Sequence, residues 1–179
     1  MHKSMTPATI LALTLIAAGC ASSAGPGPGS GKQPSAQALL APTQGSRAGG
    51  SVSFVQQDDA LLVTARVSGL TQGLHGFHIH EKGDCSAPDA SSAGGHYNPA
   101  ATKHGNPQAG EHHAGDLPML EADASGNATL SVKLRGLSLD DTGHNIVGRS
   151  LVVHAGADDY TSQPAGNSGP RVACGVIVR

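Results

Sequence analysis

The chain has 179 residues, with 11 Lys plus Arg against 13 Asp plus Glu, ten His, three Cys and 2% aromatic residues. A net charge of −2 without a basic stripe excludes a nucleic-acid binder that works by electrostatics. No apolar run reaches the 18 or so residues that a membrane-spanning helix needs.

Residues 1–20 read as a signal peptide. Lys3 supplies a positive start, Ile10 to Ala18 a short apolar run, and Ala17-Ala18-Gly19-Cys20 a small-residue approach to a cysteine. Cys20 resembles the lipidated cysteine of bacterial lipoproteins, which implies export to the bacterial periplasm and a membrane anchor. Ordinary cleavage that removes Cys20 is the alternative. Residues 21–35 are rich in Gly, Pro, Ser and Ala and read as a flexible tether of roughly 20 Å. Residues 36–179 then form one domain, long enough for a real core. It carries nine Lys plus Arg against thirteen Asp plus Glu. Its two cysteines, Cys85 and Cys174, are expected to pair as in other exported domains, with free thiols as the alternative. That bridge would close a loop of about 89 residues and contribute about 4 kcal/mol through chain entropy.

The domain reads as all-β. Gly50 to Gln56 and Leu61 to Val67 flank the turn Gln57-Asp58-Asp59-Ala60, with Val63, Ala65 and Val67 sharing one face. Leu117 to Ala122 and Ala128 to Leu134 flank Asp123-Ala124-Ser125-Gly126-Asn127, and Ser150 to His154 and Val172 to Val178 complete the set. Short strands between turn residues predict an antiparallel sandwich or barrel. Glu81 to Gly115 breaks the rhythm with some 35 residues of Gly, Ala, Ser, Asp, His and Pro; a loop that long in a compact domain is normally functional or disordered. A second irregular stretch runs from Ala155 to Arg171.

Most of the histidines fall in and around that long loop. His78 and His80 form an H-x-H pair that a strand places on one face. His96, His104, His113, Asp116 and His154 follow. Neutral imidazole is the commonest nitrogen ligand for zinc and copper, and the set holds too many ligands for one ion.

Six motifs now carry a resemblance: Gly76-Phe77-His78-Ile79-His80, Gly95-His96-Tyr97-Asn98-Pro99, Lys103-His104-Gly105, His113-Ala114-Gly115-Asp116-Leu117, Gly148 to His154, and Gly169 to Gly175. Together they resemble the copper/zinc superoxide dismutases over essentially the whole chain from Ala36. The resemblance implies a Greek-key, immunoglobulin-like β-sandwich or flattened barrel of about eight antiparallel strands with long metal-binding loops. It implies one Cu(II)/Cu(I) ion per chain on His78, His80, His96 and His154. It also implies one Zn(II) ion per chain on His96, His104, His113 and Asp116, with His96 shared. The implied activity is dismutation of the superoxide anion to dioxygen and hydrogen peroxide, with His96 taking up a proton.

The resemblance further implies that Asp158 bridges one copper and one zinc histidine by hydrogen bonds, here His78 and His104; Asp159 is its rival. It places Arg171 beside the copper opening as the residue that attracts and orients the anion. Lys82 and Lys103 are further cations that could guide substrate. His75 reads as a structural histidine bonded to backbone, His144 as a loop residue, and His112 as a neighbour of His113 rather than a ligand. Phe77 and Tyr97 read as packing residues. The oligomer is expected to be a homodimer or a monomer. A copper/zinc buffer without turnover and a chaperone-like relative of the fold are the competing readings. Neither accounts for a complete copper set beside Arg171.

Overall fold

The computed structural model describes residues 1–2 and 33–179, so the expected signal sequence from residue 3 on, Cys20 included, and most of the tether lie outside the described residues. Nine strands form between Ser35 and Val178: β1 (Ser35–Pro42), β2 (Gly49–Gln57), β3 (Ala60–Ser68), β4 (Gly73–His75), β5 (Phe77–His80), β6 (Leu120–Ala122), β7 (Ala128–Arg135), β8 (Ser150–His154) and β9 (Arg171–Val178). All pairings are antiparallel, in the order β4-β6-β7-β3-β2-β1-β9-β8-β5. The two ends of this order, β4 and β5, are consecutive in the chain and separated by Gly76 alone. The chain itself therefore joins the open edges into a nearly closed Greek-key barrel. Taken as one strand interrupted at Gly76, β4 and β5 make the count eight.

Hydrogen bonds finish that seam. Gly76 N–H donates to Gly156 O at 2.8 Å, and His154 N–H donates to Gly76 O at 2.9 Å. The ring nitrogens of buried His75 lie 2.7 Å from His154 O and 2.9 Å from Thr71 O. His75 is thus the backbone-bonded structural histidine that its position suggested.

Period-two burial explains why these segments are strands. In β3, Leu61, Val63, Ala65 and Val67 are buried, all four on one face. β1 follows the same rule with Ala36, Ala38 and Leu40 inward. Its sequence signal is weak because two of its three inward residues are alanines. The expected strand from Leu117 shortens to Leu120–Ala122. Pro118 has no N–H for a ladder, and Leu117 N–H instead donates to Phe77 O at 3.2 Å. With two Phe and no Trp in the chain, the core is aliphatic. Leu61, Ile79, Leu120, Leu139, Ile146, Leu151 and Ile177 are each fully buried beside Phe54 and Phe77, each contributing about 2 kcal/mol by area removed from water.

Candidate metal centre

β5 ends the sheet order, and one of its edges pairs with β8, His78 lying opposite Val152 and His80 opposite Ser150. An open edge exposes a row of unpaired backbone groups. Here the long loop covers it. Ile79 N–H donates to Gly115 O, Tyr97 N–H to Ile79 O and Gly115 N–H to Tyr97 O, each at 2.8 Å. The resulting bridges set His78 opposite Asp116 and His80 opposite His96. Gly115 cannot be any other residue, since a Cβ there would meet Ile79 O at 2.2 Å. The loop is therefore zipped to the strand that carries two of the histidines, which delivers His96 and Asp116 to them.

Period two turns His78 and His80 to one face of β5, and the irregularity between Val153 and His154 sets His154 at the end of β8 beside them. Two groups of ligand atoms result, each lying within 4.8 Å of one another: His78, His80, His96 and His154, and His96, His104, His113 and Asp116. His96 belongs to both. Each ring is oriented by one nitrogen. His78 Nε2 lies 2.6 Å from Asp158 Oδ2, His80 Nδ1 2.9 Å from Gly94 O, His154 Nδ1 3.0 Å from Gly169 O, and His104 Nε2 2.8 Å from Asp158 Oδ1. The opposite atoms, His78 Nδ1, His80 Nε2, His96 Nε2, His154 Nε2 and His104 Nδ1, are buried without a hydrogen-bond partner among the described residues. Five desolvated nitrogens facing inward are costly unless a cation takes their lone pairs.

The donor sets fit the two ions differently. In the second group His96 Nδ1 is 2.8 Å and His113 Nδ1 3.3 Å from Asp116 Oδ1, His104 Nδ1 is 3.1 Å from Asp116 Oδ2, and the His96 and His113 Nδ1 atoms are 3.4 Å apart. Ligands about 2.0–2.1 Å from a tetrahedral zinc stand roughly 3.3 Å from each other, and each of the three imidazoles already lies near that spacing from one or other oxygen of Asp116. The first group offers four neutral nitrogens, the set that suits tetragonal copper.

Electrostatics keep these groups ready to ligate. Burial lowers the pKa of His80 to about 2 and that of His154 to about 3, and it lowers His78 and His113 as well. For Asp116, burial acts upward, but the His96 hydrogen bond and nearby His104 outweigh it and hold the carboxyl at about 2. Asp158 is likewise lowered, against burial, by its hydrogen bonds to His78 and His104. Neutral imidazoles and ionised carboxylates are the forms that bind metals.

Asp158 makes the bridge and Asp159 does not. The Asp159 carboxylate instead accepts from Thr161 and Ser162 within its own turn. His112 turns Nδ1 to His113 O, and His144 pairs with Asp141 on the surface. Phe77 and Tyr97 are core residues, with Arg149 stacked 3.6 Å from the centre of the Tyr97 ring.

An opening of about 560 Å³ leads to the first group, lined by His80, His96, His154, Asn98, Pro164 and Arg171 among others. Among the described residues, Arg171 is the one Lys or Arg that lines it; Lys82 and Lys103 do not. Its guanidinium donates to Ala90 O at 2.5 Å and to Gly94 O at 2.6 Å. Gly94 O thus anchors both His80 and Arg171. The segment that supplies these carbonyls is tied to β9 by the Cys85–Cys174 disulfide. Burial lowers the Arg171 pKa, opposed by Asp89, and a guanidinium remains charged at neutral pH. Two residues with no motif to announce them also support the site. Asp158 N–H lies 3.2 Å from Met119 Sδ, and the Gln163 side chain reaches the backbone of His104.

A nearly closed antiparallel barrel whose edge loop completes a four-histidine site and a three-histidine, one-aspartate site around a shared imidazole defines a two-metal protein. The sequence profile of the family Copper/zinc superoxide dismutase (SODC) matches residues 48–177. The chain is 44% identical over 134 residues to an extracellular Cu-Zn superoxide dismutase of Caenorhabditis elegans, covering 72% of this chain and 60% of that one. It is 43% identical over 137 residues to a copper chaperone for superoxide dismutase of Rattus norvegicus, covering 73% and 48%. A Cu-Zn superoxide dismutase of Caulobacter vibrioides is 43% identical over 151 residues, covering 80% and 85%. The chain belongs to the copper/zinc superoxide dismutase family.

Proposed function

We propose that the chain dismutates superoxide: two superoxide anions and two protons become one dioxygen and one hydrogen peroxide. The carrying observation is His96, whose Nδ1 is turned to Asp116 and His113 while its buried Nε2 joins the other three histidines. A shared imidazole is needless in a store for two ions and useful where one of its atoms must also handle a proton. When bound, copper on His78, His80, His96 and His154 supplies the one-electron chemistry, while zinc on His96, His104, His113 and Asp116 supplies charge and rigidity without redox change.

The chain's own residues do the rest. Arg171 draws the anion to the opening and orients it, and the two carbonyls hold its guanidinium in place. His96 Nε2 holds a proton for the peroxide and passes it on, its ring position kept by Nδ1. Asp158 fixes the rings of His78 and His104.

The test is superoxide decay by the full chain loaded with copper and zinc. Decay far faster than with the metal-free chain is expected. Both metals bound at one per chain without such decay would sink the proposal and favour the chaperone-like reading that the rat relative suggests.

Export and anchoring form the second half of the proposal. The pattern of residues 1–20 supports a bacterial periplasmic lipoprotein held by lipid on Cys20. Replacing Cys20 by Ser should release the protein from membranes with its activity intact; wild-type protein found soluble with a processed start beyond Cys20 would refute it.

A further inference from the structure

His104 is buried, with 3% of its surface exposed, yet it lies outside every strand. Its backbone N–H and C=O therefore need partners other than a ladder. Among the described residues one side chain supplies both. His104 N–H donates to Gln163 Oε1 at 2.9 Å, and Gln163 Nε2 donates to His104 O at 2.9 Å. The amide pairs with this residue as a neighbouring strand would.

Gln163 belongs to a compact turn. The Asp159 carboxylate accepts from Thr161 N–H and Ser162 N–H, Gly166 N–H donates to Ser162 O, and Asp159 N–H donates to Gly166 O. That turn grips His104 from three sides. Asp158 holds its ring, Gln163 holds its backbone, and Gly166 lies so close that a Cβ would meet Asp158 Oδ1 at 1.9 Å and His104 Nε2 at 2.5 Å. Gly166 has φ +67°, so glycine suits it twice over. The next residues after Gln163, Pro164 and Ala165, are wall residues of the opening that Arg171 lines.

We propose that Gln163 is a positioning residue that clamps the zinc-side loop to the wall of the copper opening, so that zinc binding at His104 and ordering of residues 161–166 occur together. The inference rests on the reading of His104, His113, Asp116 and His96 as the zinc set. Gln163 touches neither substrate nor metal; it acts through the His104 backbone.

The test titrates zinc alone into the metal-free full chain against a chelating dye, for the wild type, Gln163→Ala and, as a control, Arg135→Ala, which removes an exposed pair with Asp59. Two partly exposed hydrogen bonds, each of modest net value, make Gln163→Ala bind zinc about fivefold more weakly. Copper affinity and the control should stay at the wild-type level. A change under twofold, or equal weakening of both metals, overturns the clamp. A wild type that binds no zinc at all refutes the underlying reading of the site instead. Should Gln163→Ala not fold, amide exchange on the wild type decides: zinc alone should protect His104 and residues 161–166 together, and protection of His104 without residues 161–166 overturns the proposal.

Discussion

Three of the four ligands in the copper set, His78, His80 and His154, sit on strands, whereas His104, His113 and Asp116 of the zinc set sit in the loop that covers β5. The strand histidines are placed by ladder register and period two, so the fold positions them before any ion arrives. The loop ligands are placed by the edge zipper at Gly115, by Asp158 and by Gln163, each a small number of hydrogen bonds. Loops ordered by so few bonds open more easily than core strands. The rigid half of the site is thus the one assigned the electron chemistry. The other half is held by those few hydrogen bonds, and His96 is the joint between them.

The largest effect should come from breaking each half separately. His80→Ala is expected to abolish superoxide decay while zinc content and amide protection of residues 95–117 stay as in the wild type. His104→Ala should lose zinc and speed exchange across that same loop. Equal loosening of the loop in both variants would show that the division between strand and loop halves is wrong.

Next in size is the opening. Arg171→Ala should lower the rate constant by about one to two powers of ten, since a charge a few ångströms from the anion is worth about 1–4 kcal/mol before screening, and Arg171→Glu should lower it further. Its decline with added salt should weaken or reverse, with metal content unchanged. Full activity with an unaltered salt response would move the steering role to Lys82 or Lys103.

Asp158→Asn sharpens the comparison because Asp158 serves both halves, its two oxygens going to His78 and His104. Affinity for copper and zinc should both fall by roughly tenfold or more. Loss confined to zinc would mean that the strand histidine keeps its orientation without this partner.

The smallest effect near neutrality is the acid response of the metal-free chain. His80 and His154 have folded-state pKa values of about 2 and 3, lowered from 6.5 chiefly by burial. As pH falls below 6.5 the unfolded chain binds protons that the folded one refuses. Stability from these groups is therefore full above pH 6.5 and lost progressively as pH falls, toward about 3 for His154 and about 2 for His80. A melting temperature of the metal-free protein that stays flat from pH 6.5 to 4 would contradict the burial of the copper-side rings.

Much of the site was legible because its signals are local. His78 and His80 share a face wherever that segment is a strand, and Cys85 and Cys174 do pair. The interval between ligands also marked Glu81 to Gly115 as a loop held by something other than apolar packing. β1 was less legible, since Ala36 and Ala38 are buried but too small to write a clear alternation.

The amino-acid sequence by itself determined which chemical groups this protein brings to metals and that they would be carried on an antiparallel β framework, because ligand type and strand period are properties of neighbouring residues. Only the tertiary structure decided which nitrogen of each ring faces inward, that Gly94 O holds both His80 and Arg171, and that Gln163 serves as the strand His104 lacks. Those contacts join residues from 14 to 77 positions apart. Their partners are backbone groups, which every residue possesses, so no residue pattern can announce them before the chain has closed at Gly76.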